Sequence, residues 1–161
     1  MSGSIVQISV SQGGLPKLAI PSAIAGTLGL SCDACAHPDV HGGPLQAILL
    51  VTSEGIDELI AAGYPLFFGA LGENLTTRGL DRRAMRFGQR YRVGDAVVIE
   101  LTKLREPCNQ LSVYGFGIQR EVIDKQAATG DPQSPRWGLG GFYASVIEPG
   151  TIRTGDPIEL V

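Results

Sequence analysis

The sequence lacks an excess of positive charge: 13 Lys and Arg against 16 Asp and Glu leave a formal net charge of −3. A chain with that balance has no general electrostatic reason to seek a nucleic-acid backbone or an anionic membrane. It also lacks any apolar run approaching the roughly 20 residues that span a bilayer. No basic run precedes a long apolar stretch at Met1 to Gln7, so no signal peptide is expected, and the expected compartment is the reducing cytoplasm. Cysteine is scarce, and its odd count of three excludes a complete set of internal disulfides. Neither a GxGxxG nor a P-loop pattern occurs, and strands and helices do not alternate regularly. A doubly wound nucleotide-binding fold is therefore not expected.

What is present favours short strands joined by turns. The 161 residues fit one domain, 1–161, and 43% hydrophobic residues supply material for one core. The 22 glycines are about twice average usage and follow no period, as expected for many tight turns and close backbone approaches. Ile5–Val10 alternates as an opening strand, and Lys17–Ile20, between two prolines, reads as a short edge strand. Leu15–Ala36 is otherwise rich in small residues and shows no clear pattern. Ala47–Val51 (AILLV) is a continuous apolar run that suits a buried strand. Ser53 is placed to cap a helix, Ile56, Leu59 and Ile60 follow at helical spacing, and Gly63 ends it.

Arg90–Val93 and Val97–Thr102 are expected to form strands around Gly94-Asp95, and IRTGDPIEL (Ile152 to Leu160) echoes that unit. Two strand–turn–strand units point to a barrel or a strongly curved sheet. Ile118–Ala128 is a second helix candidate, stopped by Gly130-Asp131-Pro132, and Gly141–Ile147 is a further strand. The expectation is a mainly β protein, closed as a β-barrel, with two or three short helices.

Three segments carry chemically active groups. In HGGPLQA (His41 to Ala47), glycines allow close backbone approach beside a titratable ring, and the N–H groups of Gly42 and Gly43 can face an anion. An ordinary turn with a satisfied histidine is the alternative. In GALGENLTTRGL (Gly69 to Leu80), Gly72, Glu73, Asn74 and Thr76 belong to a run that can read the donors and acceptors of a heterocycle such as a pterin. Equally, Glu73 and Asn74 can satisfy buried backbone in a long loop. In LREPCNQL (Leu104 to Leu111), Cys108 follows Pro107 near the expected end of a strand, with Arg105 three residues before it. A guanidinium close by favours thiolate, the form that acts as nucleophile or metal ligand. An inert buried cysteine is the other reading.

Together these segments resemble the MOSC domain, named after the C-terminal domain of molybdenum cofactor sulfurases. The matching features are His41-Gly42-Gly43, the run Gly69 to Thr76, and Pro107-Cys108. The ending also resembles the family, through Arg136-Trp137-Gly138, Gly141-Phe142-Tyr143, Pro149-Gly150 and Gly155-Asp156. The resemblance implies a barrel of the pyruvate-kinase barrel type and binding of a molybdopterin-type molybdenum cofactor. It implies that Cys108 ligates molybdenum or carries sulfur, and that Arg105 and Arg136 offset the anionic cofactor. His41–Gly43 and Gly72–Thr76 would form the cofactor wall. Some stand-alone bacterial relatives reduce N-hydroxylated bases and amidoximes; in that role a small-molecule substrate and a separate electron-donor protein are expected. A non-catalytic cofactor carrier needs the same pocket and cysteine.

One departure stands out. Relatives often read Gly-Asp-x-His or Gly-Asp-x-Gln shortly before HGG, whereas this chain has Cys32-Asp33-Ala34-Cys35. Cys32, Cys35, His37 and His41 thereby offer four zinc-compatible ligands, giving a third reading as a structural zinc-binding interaction domain. Their spacing is not that of the usual zinc fingers.

Overall fold

The structure, a computed structural model, describes residues 1–34 and 42–161. Its strands are β1 Ser2–Val10, β2 Leu18–Ile20, β3 Ser22–Gly26, β4 Gly29–Leu30, β5 Ile48–Thr52, β6 Leu75–Arg78, β7 Arg90–Val93, β8 Val97–Leu104, β9 Phe142–Glu148, β10 Gly150–Arg153 and β11 Pro157–Leu160. Three short helices accompany them: α1 Ser53–Ala61, α2 Ile118–Val122 and α3 Lys125–Ala128. The protein is mainly β, as expected.

Seven strands close into a barrel in the order β11-β7-β8-β9-β5-β6-β1, with β1 pairing back to β11. Closure works because β1 is long. Its Ser2–Ser4 pairs with β11, its Ile8–Val10 pairs with β2, and Ser4–Ile8 pairs with β6. Because β6 overlaps both partners along the strand, β11 and β2 share the opposite edge of β1. All seven strands send apolar side chains into the barrel, among them Ile5, Leu50, Leu75, Tyr91, Ile99, Phe142 and Ile158. The expected edge strand, β2, does lie at the end of the sheet.

β5 explains its own continuous apolar run. Ile48 and Leu50 face the barrel core, whereas Leu49 and Val51 face a second cluster with Ile56 and Leu59 of α1. A strand covered on both faces has no solvent side to mark with polar residues. β5 and β6 are parallel, so residues 53–74 must carry the chain back to the start of the sheet. That crossover contains α1 and the Gly69–Asn74 loop.

Several local expectations are corrected. Thr52, not Ser53, caps α1: Thr52 is extended and its Oγ1 accepts from Gly55 N at 3.1 Å, while the Ser53 hydroxyl donates to Glu54. The Ile118–Ala128 helix is two helices. Asp124 is extended and accepts from Ala127 N at 2.7 Å, starting α3 afresh. Asp81 plays the same capping role for a short turn at Arg82–Ala84.

The echo of the Gly-Asp units does not extend to pairing. β7 and β8 form a hairpin around Gly94-Asp95, but β10 pairs with β3 in a separate three-stranded sheet, and β11 joins the barrel. Gly155-Asp156 is thus a corner between sheets. Ile5 N donates to the Asp156 carbonyl at 2.8 Å, and Gly155 N donates to the Ile5 carbonyl at 2.7 Å. None of the described helices is long and apolar enough to cross a membrane.

Candidate functional site

A cavity of about 130 Å³ lies against the outer face of β5 and β9. Its floor includes Leu49 and Tyr143, cross-strand partners on those two strands. The walls come from the β1–β2 connection, the segment around Leu30–Ala34, the Gly42–Ala47 turn, the Gly69–Asn74 loop and the stretch after β8. Of the expected site residues, Gly42, Gly72, Asn74, Arg105 and Cys108 line it.

Within the Gly69–Thr76 segment, Gly72 and Asn74 line the cavity, whereas Glu73 serves the loop itself. Glu73 is wholly buried. Its Oε2 accepts from Gly69 N at 2.9 Å and from Thr76 Oγ1 at 3.1 Å, and its Oε1 accepts from Leu71 N at 3.1 Å. Burial pushes the Glu73 carboxyl above its ordinary value, opposed by those hydrogen bonds and by the positive charge of Arg105. Neither Glu73 nor Thr76 lines the cavity: the two side chains bond each other, and Glu73 also accepts from the loop backbone.

Asn74 is a joint between elements. Its Oδ1 accepts from Leu49 N at 3.0 Å, and its Nδ2 donates to Ser9 O at 3.2 Å and to Asp33 Oδ2 at 2.8 Å. Asp33 in turn accepts from Ser11 N at 3.0 Å and pairs with Lys17 Nζ at 2.6 Å. Gly69 (φ +96) is required where it stands, because a Cβ there would collide with the Lys17 carbonyl. Lys17 N donates to Gly69 O at 2.9 Å, which ties the β1–β2 connection to the loop.

The wall after β8 is different. Arg105 N donates to Gly141 O at 2.9 Å, which continues the β8–β9 ladder by one residue. Arg105 is 4% exposed, yet its Nε and Nη1 have no hydrogen-bond partner. Each buried donor left open costs about 1–3 kcal/mol. Three residues on, Cys108 is a free, half-buried thiol on the same cavity, at the start of a 3₁₀ turn over Asn109–Tyr114. Across the cavity lining, Gln46 Oε1 is likewise buried and unpartnered.

The remaining expectations divide. Gly43 (φ +85) is exposed and starts the 3₁₀ turn Pro44–Gln46, with its carbonyl accepting from Gln46 N, and it does not line the cavity. Arg136 is engaged within the chain. Its Nε donates to Glu121 O at 3.1 Å and its guanidinium stands 3.7 Å from the Glu121 carboxylate, pinning the α2 region, and it too is off the cavity. Cys32 is exposed, off the cavity, and takes a left-handed conformation at φ +63. Glycine adopts that region without steric penalty. His41, Cys35 and His37 lie outside the described residues, and among the described residues no group of three or more His, Cys, Asp or Glu could hold a metal. Sequence reasoning missed Lys17, Gln46 and Tyr143 as lining residues. Gln46 belongs to the HGGPLQA segment and was within reach, whereas nothing in the local sequence marks Lys17.

Fold and site define a class: a closed β-barrel bearing, on its outer face, a cleft lined by a free thiol and by a buried arginine whose Nε and Nη1 lack hydrogen-bond partners. The chain belongs to the MOSC domain family, whose model matches residues 37–159. It is 35% identical to protein YiiM of Escherichia coli over 139 residues, covering 83% of this chain and 57% of the relative. It is 32% identical to the uncharacterized protein YflK of Bacillus subtilis over 124 residues, 75% of this chain and 50% of that protein. A Gibberella moniliformis protein named Reductase is 29% identical over 128 residues, 75% of this chain and 20% of that protein. The chain thus spans about half the length of the two bacterial relatives. The crystal structure of YiiM from Geobacillus stearothermophilus superposes with a TM-score of 0.69 at 25% identity, covering 99% of this chain and 75% of that one. E. coli YiiM has the same fold, with a TM-score of 0.70 at 24% identity over 100% of this chain and 70% of the other.

Proposed function

We propose that this protein binds a molybdopterin-type molybdenum cofactor in the cleft and, with electrons from a separate donor protein, reduces N-hydroxylated small molecules. The observation that carries the reading is Arg105: a buried guanidinium with two open donors, on the same wall as a free thiol, inside a MOSC domain. The residues present fit such a group. An oxygen acceptor on the cofactor would satisfy Arg105, and the soft sulfur of Cys108 suits a metal already held by dithiolene sulfurs. When bound, the cofactor supplies two-electron oxygen-atom chemistry, which suits cleavage of an N–O bond.

The chain's own residues would position and supply. Cys108 would hold the metal, and the Leu49–Tyr143 floor would exclude water from one face of the ligand. Lys17, held by its ion pair with Asp33, stands on the cleft wall. The overall conversion, R–NHOH plus two electrons and two protons to R–NH2 and water, requires protons at the cleft as well as electrons. A carrier role uses the same cleft without turnover. A persulfide role at Cys108 also uses the same thiol.

The test is to purify wild type, Cys108→Ser and Cys32→Ser from a host that makes the cofactor. Bound molybdenum and reduction of an N-hydroxylated base with an artificial electron donor are then compared. Wild type and Cys32→Ser should contain molybdenum and turn over, whereas Cys108→Ser should lose reduction and part of its molybdenum. Molybdenum without turnover in wild type identifies a carrier. A Cys108→Ser variant equal to an active wild type in both measurements contradicts the assignment.

A further inference from the structure

The groups that first look suited to reading a pterin, Glu73, Asn74 and Thr76, are engaged within the protein. Two other groups on the cavity are open. Gln46 Oε1 is a buried acceptor without a donor, and Arg105 Nε and Nη1 are buried donors without an acceptor. They do not satisfy each other. One ligand that answers both must present an N–H and an oxygen acceptor together, and it must tolerate the apolar surroundings of Leu49, Leu71 and Tyr143. A planar cyclic amide has that edge: a ring carbonyl adjacent to a ring N–H.

We propose that Gln46 and Arg105 read the cyclic-amide edge of the cofactor's pterin ring, with Gln46 Oε1 accepting from the ring N–H and Arg105 donating to the ring oxygen. This rests on the cofactor reading above and assigns that cleft a recognition residue, Gln46, which neither the family match nor the relatives' names supply. A neutral ring recognised this way needs neither metal nor phosphate. The metal-free protein should therefore bind plain pterin.

The test uses metal-free protein, pterin fluorescence and three probes: pterin, pterin methylated at the amide nitrogen, and inorganic phosphate. Wild type should bind pterin about tenfold more tightly than the methylated ring, the effect of one buried hydrogen bond. Gln46→Leu should bind pterin about tenfold more weakly and no longer distinguish the two rings. Loss of discrimination, rather than loss of affinity alone, separates recognition from a structural role of Gln46, and thermal melts check that the variant folds. Wild type that ignores pterin, or binds both rings equally, overturns the inference. So does phosphate that displaces pterin competitively, because Arg105 would then serve an anion. Failure here alongside molybdenum retained through Cys108 leaves the cofactor reading standing, whereas loss of both sinks that reading too.

Discussion

Glu73 and Arg105 are both ionisable, both nearly free of solvent, and close enough for the arginine to act on the carboxyl. Their surroundings differ completely. Glu73 accepts from Gly69 N, Leu71 N and the Thr76 hydroxyl, and its carboxyl organises the loop that leads into β6. Arg105 is tied to the sheet by its backbone N–H, and its Nε and Nη1 have no hydrogen-bond partner. A buried polar group that is fully satisfied contributes to the fold, whereas one left open at a cavity is waiting for something outside the chain. Charge and burial alone do not separate structural from ligand-binding residues here; hydrogen-bond satisfaction does.

The sharpest way to break this comparison is Glu73→Ala. It strands two backbone N–H groups and the Thr76 hydroxyl, and should lower stability by about 3 kcal/mol or more in chemical denaturation. A loss under about 1 kcal/mol would mean that the loop does not depend on its carboxylate. Glu73→Gln sharpens the same point through pH. Burial raises the Glu73 carboxyl above its ordinary 4.5 in the folded state, so folding favours the protonated form. That contribution is complete below the ordinary value and is lost as pH rises through the raised one. Relative to Glu73→Gln, wild type should therefore lose stability as pH increases above 4.5. A difference between the two proteins that stays constant with pH would contradict the burial argument.

A smaller effect belongs to Cys32, which stands in neither group. Its left-handed backbone conformation costs roughly 1 kcal/mol for a non-glycine residue, so Cys32→Gly should stabilise the protein by up to about that amount. Thermal melts would show it as a small rise, and a clear fall would indicate that the side chain itself is needed.

Which features the sequence reveals follows from the range of the interactions involved. The hairpin of β7 and β8 was readable because strand pattern and Gly94-Asp95 are local. The AILLV run and α1 were readable because their apolar positions repeat. β3 was not, since Ala23 and Ala25 point inward while the larger Ile24 is exposed, reversing the usual contrast of size with burial. β6 was not, because Thr76 and Thr77 are buried in a strand flanked by β5 and β1. The family pattern located Cys108 and Arg105 at the cavity, but it grouped Arg105 with Arg136 and Gly72 with Glu73. Whether an arginine ends beside Glu121 or at an open cleft is decided by tertiary neighbours that no local pattern encodes.

The most direct test of that distinction is Arg105→Leu. The stability of the metal-free protein and the molybdenum retained after purification from a cofactor-producing host should both be measured. Arg105→Leu removes two open donors together with the charge that lowers the Glu73 carboxyl, so the metal-free protein should lose clearly less stability than Glu73→Ala does. Bound molybdenum should nevertheless fall severalfold below wild type. A variant that unfolds as Glu73→Ala does, or one that retains wild-type molybdenum, would contradict the assignment of Arg105 to a ligand rather than to the fold.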